Sequence, residues 1–278
     1  MTSDSAVQII IPAHNESGFL GHCLDAVLAQ DYQGAAHVIV VANGCTDDTA
    51  ARAASFGPAL KARGWRLTVA ELPEGGKVGA LNHGDRLAGE GARIYLDADI
   101  QMAPELLSGI AAALATDQPR YAGGRLVVAR SESPVSRAYA RFWQRLPFVT
   151  TGVTGAGLFA VNPAGRARWG AFPGIISDDT FVRLQFSEDE RILVNEAYHW
   201  PIAEGFSRLV RVRRRQDNGV SEIARLYPEL LGNQGHDRPS RGELVRLALR
   251  DPIGFSIYAA VAVAVRSGRN RHDWARGR

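Results

Sequence analysis

The chain has 278 residues, of which 46% are hydrophobic and 22% charged. That balance excludes a largely disordered or collagen-like chain, and the length suits one large α/β domain or two small ones. The net charge of +3 is uneven: residues 204–278 carry 15 Lys/Arg against 8 Asp/Glu, whereas residues 1–203 carry 17 against 21. A basic end of this kind suggests phosphate groups, anionic lipid or nucleic acid as neighbours. Two cysteines, Cys23 and Cys45, exclude a disulfide framework and fit a reducing compartment.

Residues 1–5 are polar, and the apolar run at 9–11 is too short for a signal peptide. Residues 7–11 form a β-branched run that Pro12 is expected to stop. Residues 16–28 place Phe19, Leu20, Cys23, Val27 and Leu28 at helical spacing. A second strand is predicted over 37–41, and Thr46 or Asp47 can cap a helix over 48–56. A third strand covers 67–72 and a third helix 78–87. A fourth strand at 93–96 is cut off by Asp97-Ala98-Asp99, and Pro104 opens a helix that runs to 115.

After Tyr121 the pattern is less regular. A strand over 121–129 precedes an aromatic-rich helix over 134–146. Residues 146–165 read as loop and strand. A short helix is predicted over 179–186 and a strand over 192–196. From Glu204 onward the chain reads as a basic, helical appendage to a domain of residues 1–203. The uncharged stretch 252–265, flanked by Arg246, Arg250, Arg266, Arg269 and Arg271, is too short to span a bilayer. It reads equally as a packed helix or as one lying in a membrane interface.

Strand–helix alternation with short joins predicts a mostly parallel sheet covered by helices. Ligands bind such sheets beyond the carboxyl ends of the strands. The segments at those ends are 12–16, 42–48, 73–77 and 97–99, all polar or Gly-rich. Asp97 and Asp99 can share one divalent cation, and their oxygen ligands suit Mg²⁺ or Mn²⁺. Glu74-Gly75-Gly76-Lys77 lets backbone approach a ligand and offers a cation, but it lacks P-loop spacing. Asp178-Asp179 reads either as a functional carboxylate pair or as a helix cap, and the two roles can coexist.

Four motifs occur in order: Ile-Ile-Ile-Pro-Ala-His-Asn-Glu (9–16), Val-Val-Ala-Asn-Gly-Cys-Thr-Asp-Asp-Thr (40–49), Gly-Lys-Val-Gly-Ala-Leu-Asn (76–82) and Asp-Ala-Asp (97–99). Together with Gly155-Ala156-Gly157, Gly170-Ala171-Phe172-Pro173 and Asp178-Asp179, this series resembles the family 2 glycosyltransferases over roughly residues 7–215. The resemblance implies a GT-A fold, a Rossmann-like α/β sheet that binds a nucleotide sugar. It places Pro12, Ala13, Glu16, Asn43, Asp47, Lys77, Asn82 and Asp97 along the donor. It makes Asp99 the metal ligand, with Asp97 beside it, and Asp179 the catalytic base next to Asp178.

His199 matches the late third metal ligand of some GT-A enzymes, although a structural histidine is the commoner case. Two departures stand out. Ala42 replaces the Asp of many relatives, and 211–216 lacks the Gln-x-x-Arg-Trp of processive members. Its cations, Arg213 and Arg215 among them, can still neutralise a leaving diphosphate.

These residues imply an inverting, single-transfer enzyme in which cations stabilise the leaving phosphates and one carboxylate takes the acceptor proton. The implied partners are a nucleotide-sugar donor and a carbohydrate or lipid-linked acceptor. The implied location is cytoplasmic, with a peripheral contact at the inner membrane face. The competing readings are a nucleotidyltransferase, which lacks its usual Gly-rich, Arg-containing loop here, and a non-catalytic nucleotide-sugar binder. Nucleic acid is not an expected partner, because no aromatics interleave the arginines.

Overall fold

A computed structural model describes residues 6–235 and 239–267. The polar start at 1–5 and the flanking Arg269 and Arg271 lie outside the described residues. The first half runs β1 (Val7–Ala13), α1 (Ser17–Leu28), β2 (Ala36–Asn43), α2 (Thr49–Ala54), α3 (Gly57–Ala62), β3 (Arg66–Leu72), α4 (Lys77–Leu87) and β4 (Arg93–Leu96). It continues through β5 (Gln101–Met102), α5 (Leu106–Leu114), β6 (Tyr121–Val128), α6 (Pro134–Trp143), α7 (Pro147–Thr150) and β7 (Leu158–Val161). The chain then forms α8 (Pro163–Arg166), α9 (Asp178–Arg183), β8 (Arg191–Trp200), α10 (Phe206–Leu226), α11 (Arg241–Arg250) and α12 (Pro252–Ser267).

The eight strands make one sheet in the order β3-β2-β1-β4-β7-β6-β8-β5. Strands β1 to β4 pair in parallel, as does β6 with β8, whereas β7 runs antiparallel to both β4 and β6. The mostly parallel α/β expectation holds, with β7 as an antiparallel insert. Alternating side chains feed two cores. Ile9, Ile11, Val38 and Val40 enter the one covered by α1 and α5, while Ile10, Ile39 and Val41 enter the one covered by α4 and α9. Strands buried on both faces need near-continuous β-branched runs, which is what 7–11 and 38–41 supply. Each fully buried Ile contributes about 1.5–3 kcal/mol.

Pro12 does not end β1, contrary to expectation; it pairs in register with Val41. The Val7 amide donates to Ala35 on the β2 side, and the Gln8 amide to Ala92 on the β4 side. By alternation, position 12 faces the β4 side, where pairing has stopped at Ile10–Tyr95. The missing N–H therefore costs no ladder bond. The helix expected over 48–56 is shorter, and α3, which the sequence reading missed, follows it.

The C-terminal helices are docked onto the domain. Tyr139 of α6, Leu209 of α10, and Val261 and Val265 of α12 share a third apolar cluster. Asp251, at the α11–α12 junction and 6% exposed, accepts hydrogen bonds from Arg141 Nε at 2.7 Å and Nη2 at 2.8 Å. It also accepts the Gly254 amide at 2.9 Å.

These bonds, the Arg141 pair above all, hold the Asp251 carboxyl down at about 2. A carboxyl depressed on folding adds stability above its unfolded value of about 3.9, and that stability is lost as pH falls toward 2. Asp251→Ala is expected to cost about 2 kcal/mol at neutral pH, the scale of hydrogen bonds to a charged group. The gap to wild type should close by pH 2, as read by urea titrations across pH. A gap that persists undiminished at acid pH would contradict the assignment.

Candidate active site

The carboxyl ends of β1, β2 and β4 open at one edge of the sheet. Strand β4 ends in a turn in which the Ile100 amide donates to the Asp97 carbonyl at 3.1 Å. This turn buries Ala98 and leaves Asp97 and Asp99 partly exposed. Beneath it, burial first, then Asp99 and Asp97, push the Cys23 thiol well up, so Cys23 stays neutral. Lys77 begins α4 and reaches across the edge. Its Nζ lies 2.9 Å from Asp97 Oδ1 and 3.2 Å from Asp178 Oδ2. Burial alone would lower its pKa, but Asp178, Asp97 and Asp179 outweigh burial and hold it up.

Asp178 and Asp179 open α9, placing acidic groups in its first turn where the helix dipole favours them. Asp178 is 4% exposed. The Asp179 carboxylate accepts the Thr180 amide at 2.7 Å. Burial, and then the neighbouring Asp178 charge, raise Asp179 to about 6, against the opposing pull of Lys77. A narrow cleft lined by Pro12, Lys77, Asp97, Gly155, Gly157 and Asp178 joins the two ends of this network. Gly155 sits in the left-handed region at φ 73°. A Cβ there would collide with the Tyr121 hydroxyl and lie 3.6 Å from the Asp179 Cβ. Glycine therefore allows the 154–157 loop to pass against the carboxylate.

The other expected donor contacts divide into two groups. Ala13 and Pro12 end β1 at the cleft, with Glu16 just beyond on the turn into α1. Asp47 accepts amides from Thr49 at 3.1 Å and Ser17 at 3.2 Å. Burial opposes the shift, but bonds from Thr49 and Ser17 bring its carboxyl to about 2. These bonds shape the turn into α2, whose N-cap is Asp48 and not the expected Thr46 or Asp47.

Asn43 is 2% exposed. Its Nδ2 donates to the Ala13 carbonyl at 2.7 Å and its Oδ1 accepts the Gly76 amide at 2.8 Å, so it ties the β1 and β2 ends to the loop before Lys77. Asn82 likewise accepts the Phe172 amide at 2.7 Å and donates to its carbonyl at 3.0 Å. Both amides shape the site's loops.

Arg213 and Arg215 lie on α10. Arg213 Nε meets Asp217 at 2.9 Å and its guanidinium lies over Tyr258 of α12, while Arg215 is exposed. Neither joins the Lys77 network. His199 is exposed on β8 opposite Gln101. Among the described residues no three His, Cys, Asp or Glu side chains converge as a ligand set. Asp97 and Asp99 stand two residues apart on the turn that follows β4. Two hard oxygen donors fit a Mg²⁺ or Mn²⁺ ion that keeps its other positions for phosphate and water.

The sequence reading missed the support behind Asp178 and Asp179. Gly219 of α10 packs so closely on the preceding loop that a Cβ would strike Ser177. Glu222 accepts the Ile176 amide at 2.8 Å. A glycine inside a 21-residue helix was the available signal, since such a residue is tolerated there mainly for close packing.

Known proteins share the fold. A mannosyltransferase from Pyrobaculum calidifontis, solved with GDP-Man and Mn²⁺, superposes with a TM-score of 0.58 at 20% identity, over 96% of this chain and 76% of that one. TarS from S. aureus, residues 1–349 with UDP-GlcNAc, superposes with a TM-score of 0.52 at 15% identity, over 98% and 95%. At these identities the likeness is one of fold, the GT-A fold. No curated protein sequence matches. The family model described as glycosyl transferase family 2 matches residues 8–167. That match covers more than half of the chain, from β1 past β7, and so the chain belongs to glycosyl transferase family 2.

Proposed function

We propose that the protein transfers one sugar, with inversion, from a nucleotide-sugar donor to an acceptor hydroxyl, and that it depends on a divalent cation. The observation that carries this reading is Asp179. It is a carboxylate tuned to about 6, next to Asp178, which shares Lys77 with the strand-end Asp97. A base must be deprotonated near neutral pH yet still attract a proton, and a value of about 6 meets both needs. One base opposite the leaving group implies direct displacement and hence inversion.

Asp97 and Asp99 would hold Mg²⁺ or Mn²⁺, which supplies charge neutralisation at the leaving diphosphate when bound. Lys77 adds a fixed cation at the same edge. Pro12, Ala13 and Glu16 line the approach to that edge, while Asp47, Asn43 and Asn82 fix the loops that flank it. Asp179 accepts the hydroxyl proton, and Asp178 keeps Lys77 in place while raising the basicity of its neighbour. The solved mannosyltransferase carries GDP-Man with Mn²⁺ and TarS carries UDP-GlcNAc; both support a nucleotide-sugar donor here.

The acceptor side includes α11 and α12. Val245, Leu249, Ile253 and Val263 are exposed there, and Arg246, Arg250 and Arg266 lie among them. This face suits a peripheral contact with the inner face of a membrane and a lipid-linked acceptor. Among the described residues no helix is long and apolar enough to cross a membrane.

A thermal-shift panel of UDP-, GDP- and TDP-sugars with and without Mn²⁺ tests the reading. A donor at 100 times its Kd stabilises by about 2.7 kcal/mol. One nucleotide class is expected to raise Tm in a Mn²⁺-dependent way, and product NMR should show the inverted anomer. A panel without any shift would reject the proposal.

A further inference from the structure

Strand β6 runs parallel to β8 and antiparallel to β7, which is itself antiparallel to β4. The carboxyl end of β6 therefore opens at the same edge of the sheet as Asp97 and Asp99. Beyond it lies a groove of about 520 Å³ lined by Arg130, Ser131, Arg137, Arg141, Gln144 and Arg145, together with small or apolar residues. Its lining contains no acidic side chain. Arg137, Arg141 and Arg145 recur every four residues, so α6 and its extension present them on one face.

The groove is held in shape before any ligand arrives. Asp251 fixes Arg141 through two hydrogen bonds and lies 3.5 Å from Arg145 Nη1. Gln144 accepts the Val128 amide at 2.8 Å and donates to the Ala140 carbonyl at 3.2 Å. Arg137 Nη1 donates to the carbonyls of Ser131 and Glu132. The turn at 131–133 is pinned by Glu204, which accepts the Ser131 hydroxyl at 2.7 Å and the amides of Glu132 and Ser133 at 2.9 Å. Glu204 and Asp251 thus stand behind the groove and brace it.

Four exposed arginines line one open groove, two of them beside Asp251 at its back. Planar N–H forks of this kind match phosphate oxygens two at a time. The volume is that of a small-molecule site rather than of a bare ion, so the ligand carries more than its phosphate.

We infer that the groove formed by Arg130, Arg137, Arg141 and Arg145 is an anion subsite for a phosphate-bearing ligand, the charged end of the acceptor. The acceptor role rests on the proposed transfer reaction; the phosphate binding does not. The donor diphosphate is held elsewhere, at Lys77 and the Asp97–Asp99 turn.

The test uses the full chain and the double variant Arg130→Gln/Arg145→Gln, which leaves the Arg141–Asp251 pair in place. Inorganic pyrophosphate is titrated calorimetrically in EDTA, and co-sedimentation is measured with phosphatidylglycerol and phosphatidylcholine vesicles. Loss of two charge-assisted contacts should weaken binding about tenfold or more. UDP binding with Mn²⁺ should be unchanged, which shows that the variant is folded.

A loss confined to pyrophosphate identifies a soluble phosphorylated ligand. A loss of phosphatidylglycerol binding identifies a lipid phosphate. If the double variant matches wild type in both arms, or wild type binds neither probe, the inference is overturned. Failure of wild type to bind UDP with Mn²⁺ would instead count against the donor reading and leave the groove standing.

Discussion

Asp179→Asn is expected to lower sugar transfer about 10²–10⁴-fold, the usual worth of a general base, while donor affinity stays at the wild-type level. The amide is nearly isosteric and still accepts the Thr180 amide, so α9 keeps its start. What disappears is the group proposed to take the acceptor proton.

The pH profile gives a second readout. Asp179 is raised by burial and by Asp178 to about 6, so it is protonated and inactive below that value. Wild-type kcat/KM should therefore rise with pH through about 6 and level off above it, and the variant's residual rate should lack that limb. Asp178→Asn should cost less, because Asp178 acts through Lys77 and through its neighbour's pKa. If Asp178→Asn proves the dead variant and Asp179→Asn is mild, the two roles are exchanged.

Asp99→Ala should reduce transfer by about 10³-fold or more, the several kcal/mol that a bound cation contributes at developing charge. Donor affinity in the variant should no longer respond to Mn²⁺. The fold should survive, because the turn at 97–100 is closed by backbone atoms and Asp99 is half-exposed. Calorimetric titration of the nucleoside diphosphate with and without Mn²⁺ decides the point. Equal Mn²⁺ dependence in variant and wild type would remove Asp99 from the cation site.

Strands β1 and β2 were legible because both of their faces are buried. Continuous β-branched runs such as 7–11 and 38–41 have few other uses. Pro12 misled because its cost depends on which neighbour its nitrogen faces, and that is a property of the sheet and not of the strand. Gly57-Pro58 marks the turn that separates α2 from α3, but the six residues of α3 are too few to show helical periodicity.

Among site residues, Asp97, Asp99 and Lys77 were legible because each stands directly at a strand end or helix start. Asn43 and Asn82 were found, but their partners, the Ala13 carbonyl and the Phe172 backbone, lie 30 and 90 residues away. The sequence marks the amide and hides its use. The support that α10 gives to the loop before Asp178 was invisible for the same reason, and so was the arginine groove. The four-residue spacing of Arg137, Arg141 and Arg145 is present in the sequence, but ordinary solvated helices share it.

The strand order has a consequence for how the molecule assembles. Pairing of β2 with β1 and with β3 joins near positions in the chain, as in Gln8–His37 and His37–Arg66. The β1–β4 pairing joins Gln8 to Arg93, the β4–β7 pairing Arg93 to Val161, and the β5–β8 pairing Gln101 to His199 and Met102 to Tyr198. Closure of those longer loops is slow compared with local contacts. The sheet therefore has an early part, β1 to β3, and a late part joined to it along the β1–β4 seam. Lys77 follows the early strands, while Asp97, Asp99, Asp178 and Asp179 belong to the late part. A nascent chain can form β1 to β3 while its strand-end carboxylates are still unplaced, so activity becomes a reporter of the last folding step and not of the first.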